Sequence, residues 1–329
     1  MKAIQISRTG GPEVLELVDV PMPEPGPGEV VVRARAIGVN YFDLLIRTGR
    51  YRWMPKLPFI PGNETSGQVA AAGTGVRKLH LGQKVFVAGY DLGNTGGLYA
   101  EYVKAPEGAV WPLPEGIDFD EATALTNYQL AWILLNRAAR GIEPKTAVVL
   151  GAAGGVGSAL ADLARLAGAA VIGVAGGEQK CAFVRARGGT PVDHRSENVI
   201  ERVRSLTNGR GADLVFDHLA GKELPERVKM LAPLGMLVSY GLLGGMPDTD
   251  LFAAMRGNLE ASPAVRCFTM HTLDHWPEPR REAMEQAIEI LASGRCRPAI
   301  AARLPLAEAA KAQMLIEERK AAGKVVLLP

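Results

Sequence analysis

The chain is short of cysteine, of unpaired charge and of long apolar runs. Its three cysteines, Cys181, Cys267 and Cys296, lie far apart and form no Cys-x-x-Cys pair. A sparse, odd count excludes a disulfide scaffold and suits free thiols in a reducing compartment. Lys plus Arg number 37 and Asp plus Glu 35, a formal net charge of +2. That balance carries no footprint for strong nucleic-acid binding or for an anionic membrane surface. The most apolar stretch, 147–177, is interrupted by Asp162, Arg165 and many glycines, so it reads as core and not as a membrane span. The first residues, Met1-Lys2-Ala3-Ile4-Gln5, open no long apolar run. No signal peptide is expected, and the expected location is the cytoplasm. The five histidines, His80, His194, His218, His271 and His275, form no His-Glu-x-x-His pair and no Cys/His cluster.

What is present changes along the 329 residues, a length that predicts about two domains. Residues 1 to about 120 read as mostly β. Short apolar runs at 14–18, 30–34 and 84–87 are punctuated by Gly and Pro. The segment 21–28 holds too many prolines for a helix and reads as a connector into the Val30 strand. A short helix is expected from Asn40 to Thr48. Beyond 120 the pattern becomes strand–helix alternation. Helix is expected over 118–140, 178–187 and 198–206, and strands over 146–150, 170–174, 213–216 and 236–240. Repeated βα units predict a parallel sheet covered on both faces. In the tail, helices are expected over 279–293 and 306–321 and a closing strand over 324–328, which returns to complete the first domain.

The strongest chemical signal follows the strand Val148-Val149-Leu150. The turn Gly151-Ala152-Ala153-Gly154-Gly155-Val156-Gly157 runs into a helix whose apolar residues Val156, Leu160, Leu163 and Ala167 share one face. Ala152 stands where the dinucleotide fingerprint usually has its first glycine. A small residue there permits the tight turn, Gly154 lets the backbone approach a pyrophosphate, and Gly157 lets helix and strand pack closely. The helix start then offers unpaired N–H groups and a positive dipole end to phosphate. An NAD site would place an acid at the end of the second strand, about 20 residues on. This chain reads Val174-Ala175-Gly176-Gly177 there, with no acid before Glu178, which opens the next helix as the one opposing charge, and with Lys180 and Arg195 following. A small, uncharged floor with nearby cations suits a 2′-phosphate, so the expected cofactor is NADPH.

The ordered set Gly38-Val39-Asn40-Tyr41-Phe42-Asp43, Pro61-Gly62-Asn63-Glu64-Thr65-Ser66-Gly67, Gly151 to Gly157, Asp193-His194-Arg195 and Gly323-Lys324-Val325-Val326-Leu327 spans the chain. By it the chain resembles the medium-chain dehydrogenase/reductase superfamily, in its zinc-free quinone oxidoreductase branch, which includes zeta-crystallin. The resemblance implies an α/β protein: a GroES-like, mostly-β catalytic domain plus a Rossmann domain with a doubly wound parallel sheet. The first is expected over 1–121 and 270–329 and the second over 122–269, with the active cleft at their junction. It also implies a homodimer, built through edge strands such as Val265 to Met270.

Zinc dehydrogenases of this superfamily have Cys where this chain has Asn40 and His where it has Asn63, and their four-cysteine structural lobe is missing here. Neutral Asn is a poor zinc ligand. Without a Lewis acid, reduction of a quinone or an α,β-unsaturated carbonyl is easier than oxidation of an alcohol, because the acceptor's conjugation takes up charge. The resemblance places Asn40 and Asp43 on the nicotinamide side of the cleft. Tyr51 is a candidate proton donor or an aromatic wall, and Tyr41, Phe42, Trp53 and Met54 are candidates for an apolar acceptor pocket. The cofactor-binding set comprises Thr126 near the nicotinamide ribose; Ala153, Gly154, Gly155, Val156 and Gly157 in the turn; Gly176, Lys180, His194 and Arg195 around the adenosine phosphate; Tyr240, Gly241 and Leu242 at a strand end; and Lys324. Alternatives are an enoyl-thioester reductase, which Gly62-Asn63-Glu64 resembles, and a non-enzymatic NADPH-binding protein of crystallin-like or RNA-associated kind.

Overall fold

The computed structural model describes residues 1–93 and 96–329. Two compact units divide them: residues 1–126 with 288–329, and residues 127–287. The divisions lie beyond the expected 121/122 and 269/270. Packing explains the second, since Leu273 and Ala283 are buried in one cluster with Ile133 and stay with the second unit.

The first unit is built from β1 (Lys2–Gln5), β2 (Glu16–Asp19), β3 (Glu29–Val39), β4 (Glu64–Ala72), β5 (Lys84–Ala88), β6 (Tyr102–Pro106) and β7 (Val110–Pro112), with helices α1 (Tyr41–Arg47) and α2 (Phe119–Ala122). The eleven-residue β3 is its spine. It pairs antiparallel with β4 and β6, and its buried Val30 and Val32 pack against Val69, Val85, Val87 and Val103. The strand β4 escaped sequence reading because its Gly and Ala residues blur the period-2 signal.

The second unit carries α3 (Leu125–Ile133) from Asn127 onward, β8 (Thr146–Leu150), α4 (Gly155–Leu166), β9 (Ala170–Ala175), α5 (Glu178–Ala186), β10 (Thr190–Asp193), α6 (Val199–Leu206), β11 (Ala212–Asp217), α7 (Leu224–Arg227), β12 (Leu231–Ser239), α8 (Leu251–Arg256), β13 (Ala264–Cys267) and α9 (Glu278–Ala292) as far as Ala287. The expected single helix over 118–140 is broken. Thr123 turns its hydroxyl back onto the carbonyl oxygen of Asp120 at 2.6 Å, which competes with helix continuation, and a π-helical turn at Leu134–Ala138 ends α3. The six strands are all parallel, in the order β10-β9-β8-β11-β12-β13. Their continuous apolar runs are buried, as a sheet covered on both faces requires. The order reverses between β8 and β11, so the glycine turn leaving β8 stands at the switch point where such sheets take their ligands. The expected edge at Val265 to Met270 is strand only as far as Cys267, and β13 is the last strand of the sheet.

The chain then returns to the first unit through β14 (Ile300–Pro305), α10 (Ala309–Glu317) and β15 (Lys324–Leu328). Here β15 pairs antiparallel with β3, placing Val325 opposite Val39. Among the described residues no helix is long and apolar enough to cross a membrane.

At the glycine turn, a Cβ on Gly157 would collide with the carbonyl oxygen of Gly151 and lie 3.0 Å from Cα of Ala152. Backbone, unlike a flexible side chain, cannot give way. Gly157→Ala is therefore expected to destabilise the protein by about 1–3 kcal/mol in urea unfolding, an overpacking cost.

Candidate functional site

Two groups of predicted residues come together, one in each unit. In the second unit, α4 begins at Gly154, which caps the helix with no side chain, so the first-turn N–H groups stay available to a ligand. Ala153 and Gly157 are buried and Gly154 is exposed. Gly151 holds φ +66°, and the His218 ring lies where its Cβ would be. His218 follows β11 and lies beside Tyr240, with ring centroids 6.1 Å apart. Gly241 and Leu242 follow at the end of β12, where a Cβ on Gly241 would lie 2.5 Å from the His218 carbonyl oxygen. The expected strand-end position of Tyr240 to Leu242 is thus what the fold produces, and His218 is an addition to it.

The second strand end behaves similarly. A Cβ on Gly176 would lie 2.6 Å from Nε2 of His194 and 3.1 Å from Nε of Arg195. Both side chains therefore lie across the small Gly176–Gly177 floor, and Lys180 stands in the first turn of α5. The residue that arranges them is Asp193. Its Oδ1 accepts the N–H groups of Gly177 and Arg195, each at 3.0 Å. Those backbone bonds hold its carboxyl below the usual aspartate range. Sequence reading found no acid at the end of the second strand, and the structure brings one in from the third. Its committed oxygen ties the loop together beneath the cations. This donor set fits a phosphorylated dinucleotide: bare helix N–H groups for a diphosphate and an imidazole and a guanidinium over a glycine floor.

In the first unit, Asn40, Thr126 and Lys324 converge on a carboxylate to which the sequence reading gave no role. Glu64 opens β4 and is fully buried. Its Oε1 accepts the Lys324 ammonium and, at 2.7 Å, the Asn40 Nδ2, while its Oε2 accepts the Thr126 hydroxyl. Lys324 also donates to Asn40 Oδ1 at 2.7 Å and is only 3% exposed. Strand register explains the meeting. β15 runs antiparallel to β3 so that Lys324 stands beside Asn40. Gly38 leaves the gap through which the Glu64 side chain crosses β3: a Cβ there would lie 2.6 Å from Glu64 Cγ.

Asn40 precedes α1, and its backbone N–H donates to Asp43 Oδ2 at 2.8 Å. The same oxygen accepts the Tyr99 hydroxyl at 3.1 Å. Asp43 and Tyr99 are both fully buried. Burial pushes the Asp43 carboxyl up to about 7, against the opposing pull of the Asn40 N–H, and burial also lifts the Tyr99 phenol. Tyr99 carried no sequence signal beyond its type. Tyr51 is 8% exposed and packs with Ile6, Val14 and Ile46, its ring 4.6 Å from Phe42 and edge-on to it. Phe42 and Met54 pack on the same core cluster, whereas Trp53 is 47% exposed. Asn63 is 4% exposed, and its Oδ1 has no hydrogen-bond partner among the described residues.

The Asp43 geometry sets a pH dependence. In the unfolded chain this carboxyl ionises near 4, and in the folded protein near 7. Between those values the folded state holds the extra proton, so this group's contribution is complete below the lower value and is lost as pH rises through the upper one. Asp43→Asn keeps an oxygen for Tyr99 and Asn40 but cannot ionise. Thermal unfolding from pH 5 to pH 8 is expected to show a smaller fall of Tm in the variant than in the parent; an equal fall would contradict the assignment.

Comparison with known proteins agrees with both units. The family described as alcohol dehydrogenase GroES-like domain matches residues 26–115, and the family described as zinc-binding dehydrogenase matches residues 155–293. A quinone oxidoreductase of Pseudomonas aeruginosa is 35% identical over all of this chain and 99% of its own length. A quinone oxidoreductase of Rattus norvegicus is 31% identical over all of this chain and 98% of its own. The crystal structure of Escherichia coli quinone oxidoreductase complexed with NADPH superposes with a TM-score of 0.88 at 28% identity, covering 100% of both chains. A polar cluster on a GroES-like scaffold, a Rossmann glycine turn and full-length likeness to these enzymes lead to one conclusion: the chain belongs to the medium-chain dehydrogenase/reductase superfamily of oxidoreductases, in its quinone oxidoreductase branch.

Proposed function

We propose that this protein is an NADPH-dependent reductase that transfers hydride to quinones or α,β-unsaturated carbonyls without zinc. NADPH supplies the hydride from C4 of its nicotinamide. The turn 153–157 would hold the diphosphate on backbone N–H groups, and His194, Arg195 and Lys180 would hold the 2′-phosphate over Gly176. Tyr240, Gly241 and Leu242 would border the cofactor at the strand end.

The observation that carries the zinc-free reading is the ammonium of Lys324 lodged against Glu64 and Asn40. Where metal-dependent relatives place a thiolate and an imidazole, this chain offers the carboxamides of Asn40 and Asn63, and the nearby carboxylate is already paired with a cation. That donor set does not fit a divalent zinc ion. Asn40 and Asp43 then serve the reaction by orienting groups and by charge. Tyr51, set among Phe42 and Trp53, gives an aromatic wall for a flat conjugated acceptor and a phenol able to donate a proton to a developing oxyanion. A cytoplasmic homodimer, joined through the edge strand β13, completes the proposal.

The test is NADPH oxidation with 1,2-naphthoquinone, an enal and a crotonyl thioester, with metal analysis of the purified protein. Turnover of the first two without bound zinc is expected. Turnover of the thioester alone would move the assignment to enoyl-thioester reduction. Cofactor choice is tested separately. Arg195→Ala and Lys180→Ala are each expected to weaken NADPH binding about tenfold or more, the effect of losing a charge-assisted phosphate contact, and NADH binding about twofold or less. Equal weakening of both would remove the 2′-phosphate contact.

A further inference from the structure

The hydrogen-bond partners around Glu64 leave each neighbouring group with one role. An ammonium only donates, so the Asn40 atom facing Lys324 at 2.7 Å is the oxygen. The Asn40 Nδ2 therefore faces Glu64, and one of its two hydrogens is used there at 2.7 Å. A paired carboxylate only accepts, so the Thr126 hydrogen points inward to Glu64 Oε2. Glu64 and Lys324 are buried, while Asn40 and Thr126 are partly exposed. The two outer groups are what a ligand can reach.

Resting on the reading above, we propose that Glu64 and Lys324 are positioning residues that fix hydrogen-bond polarity: Asn40 meets its ligand as a donor and Thr126 meets its ligand as an acceptor. The free Nδ2 hydrogen of Asn40 suits a carbonyl oxygen of the hydride acceptor, where negative charge grows during reduction. The remaining acceptor capacity of the Thr126 oxygen suits a hydroxyl or carboxamide N–H of the nicotinamide nucleoside. A fixed polarity discriminates strongly, because a ligand presenting the wrong group leaves a desolvated donor or acceptor unpaired.

The isosteric variant Glu64→Gln separates polarity from shape. With its amide oxygen kept toward Lys324 and Asn40, its Nε2 donates to Thr126 and turns the threonine hydrogen outward. NADPH binding by fluorescence titration of the full chain is expected to weaken about tenfold in Glu64→Gln and in Thr126→Val, the effect of one hydrogen bond, and to remain near parental in Thr126→Ser. In the double variant Glu64→Gln/Thr126→Val the losses are expected not to add, since the first acts through the second. Additive losses would show that Glu64 acts through its charge alone and would overturn the proposal. Unchanged affinity in Thr126→Val overturns it even if Glu64→Gln fails to fold. Asn40→Asp, which cannot donate and sets a second carboxylate beside Glu64, is expected to lower kcat/KM for 1,2-naphthoquinone about tenfold or more; an unchanged kcat/KM would overturn the donor role. Absence of NADPH binding by the parent protein is a different result, and it would remove the underlying functional reading.

Discussion

The buried ion pair between Glu64 and Lys324 is the constraint around which the first unit's site is organised. Two opposite charges removed from water are costly, and their attraction compensates only when the remaining lone pairs and protons are satisfied. Asn40 and Thr126 do this for the carboxylate, and Asn40 does it again for the ammonium. Removing any one partner leaves a desolvated charge short of a bond. The same four side chains thereby become rigid, which suits a site that must hold reactants in a narrow range of geometries.

Much of this was readable in advance, for identifiable reasons. The turn 151–157 announces itself because its demands are local: a strand, small residues at fixed offsets and an amphipathic helix, all within about twenty positions. The floor at Gly176 was legible for the same reason. Asn40, Thr126 and Lys324 could be named singly by resemblance, but their meeting could not, because it depends on pairing β3 with both β4 and β15 across long separations. Glu64 stood in the Pro61 to Gly67 motif without a role of its own, because its partners lie on β15, α3 and the residue before α1. Asp193 was likewise invisible as a loop organiser, because the search for an acid looked along the second strand and the acid arrived from the third.

The glycine turn of the second unit and the polar cluster of the first differ in kind. At the glycine turn the recognition surface is mostly backbone, so residue identity matters through what is absent: a Cβ at 157 would occupy space the fold needs. In the polar cluster, identity matters through donors and acceptors that must match in number. Gly38 joins the two kinds. It supplies no chemistry, yet without its empty position the Glu64 side chain could not pass across β3.

The sequence separation of the ion pair has a consequence for biosynthesis. Glu64 leaves the ribosome 260 residues ahead of Lys324. Throughout that interval the nascent first unit lacks β15, and Glu64 lacks its ammonium partner. Residues 127–287 are contiguous and free of this dependence. They can consolidate during translation, while the first unit waits for the final strand to emerge.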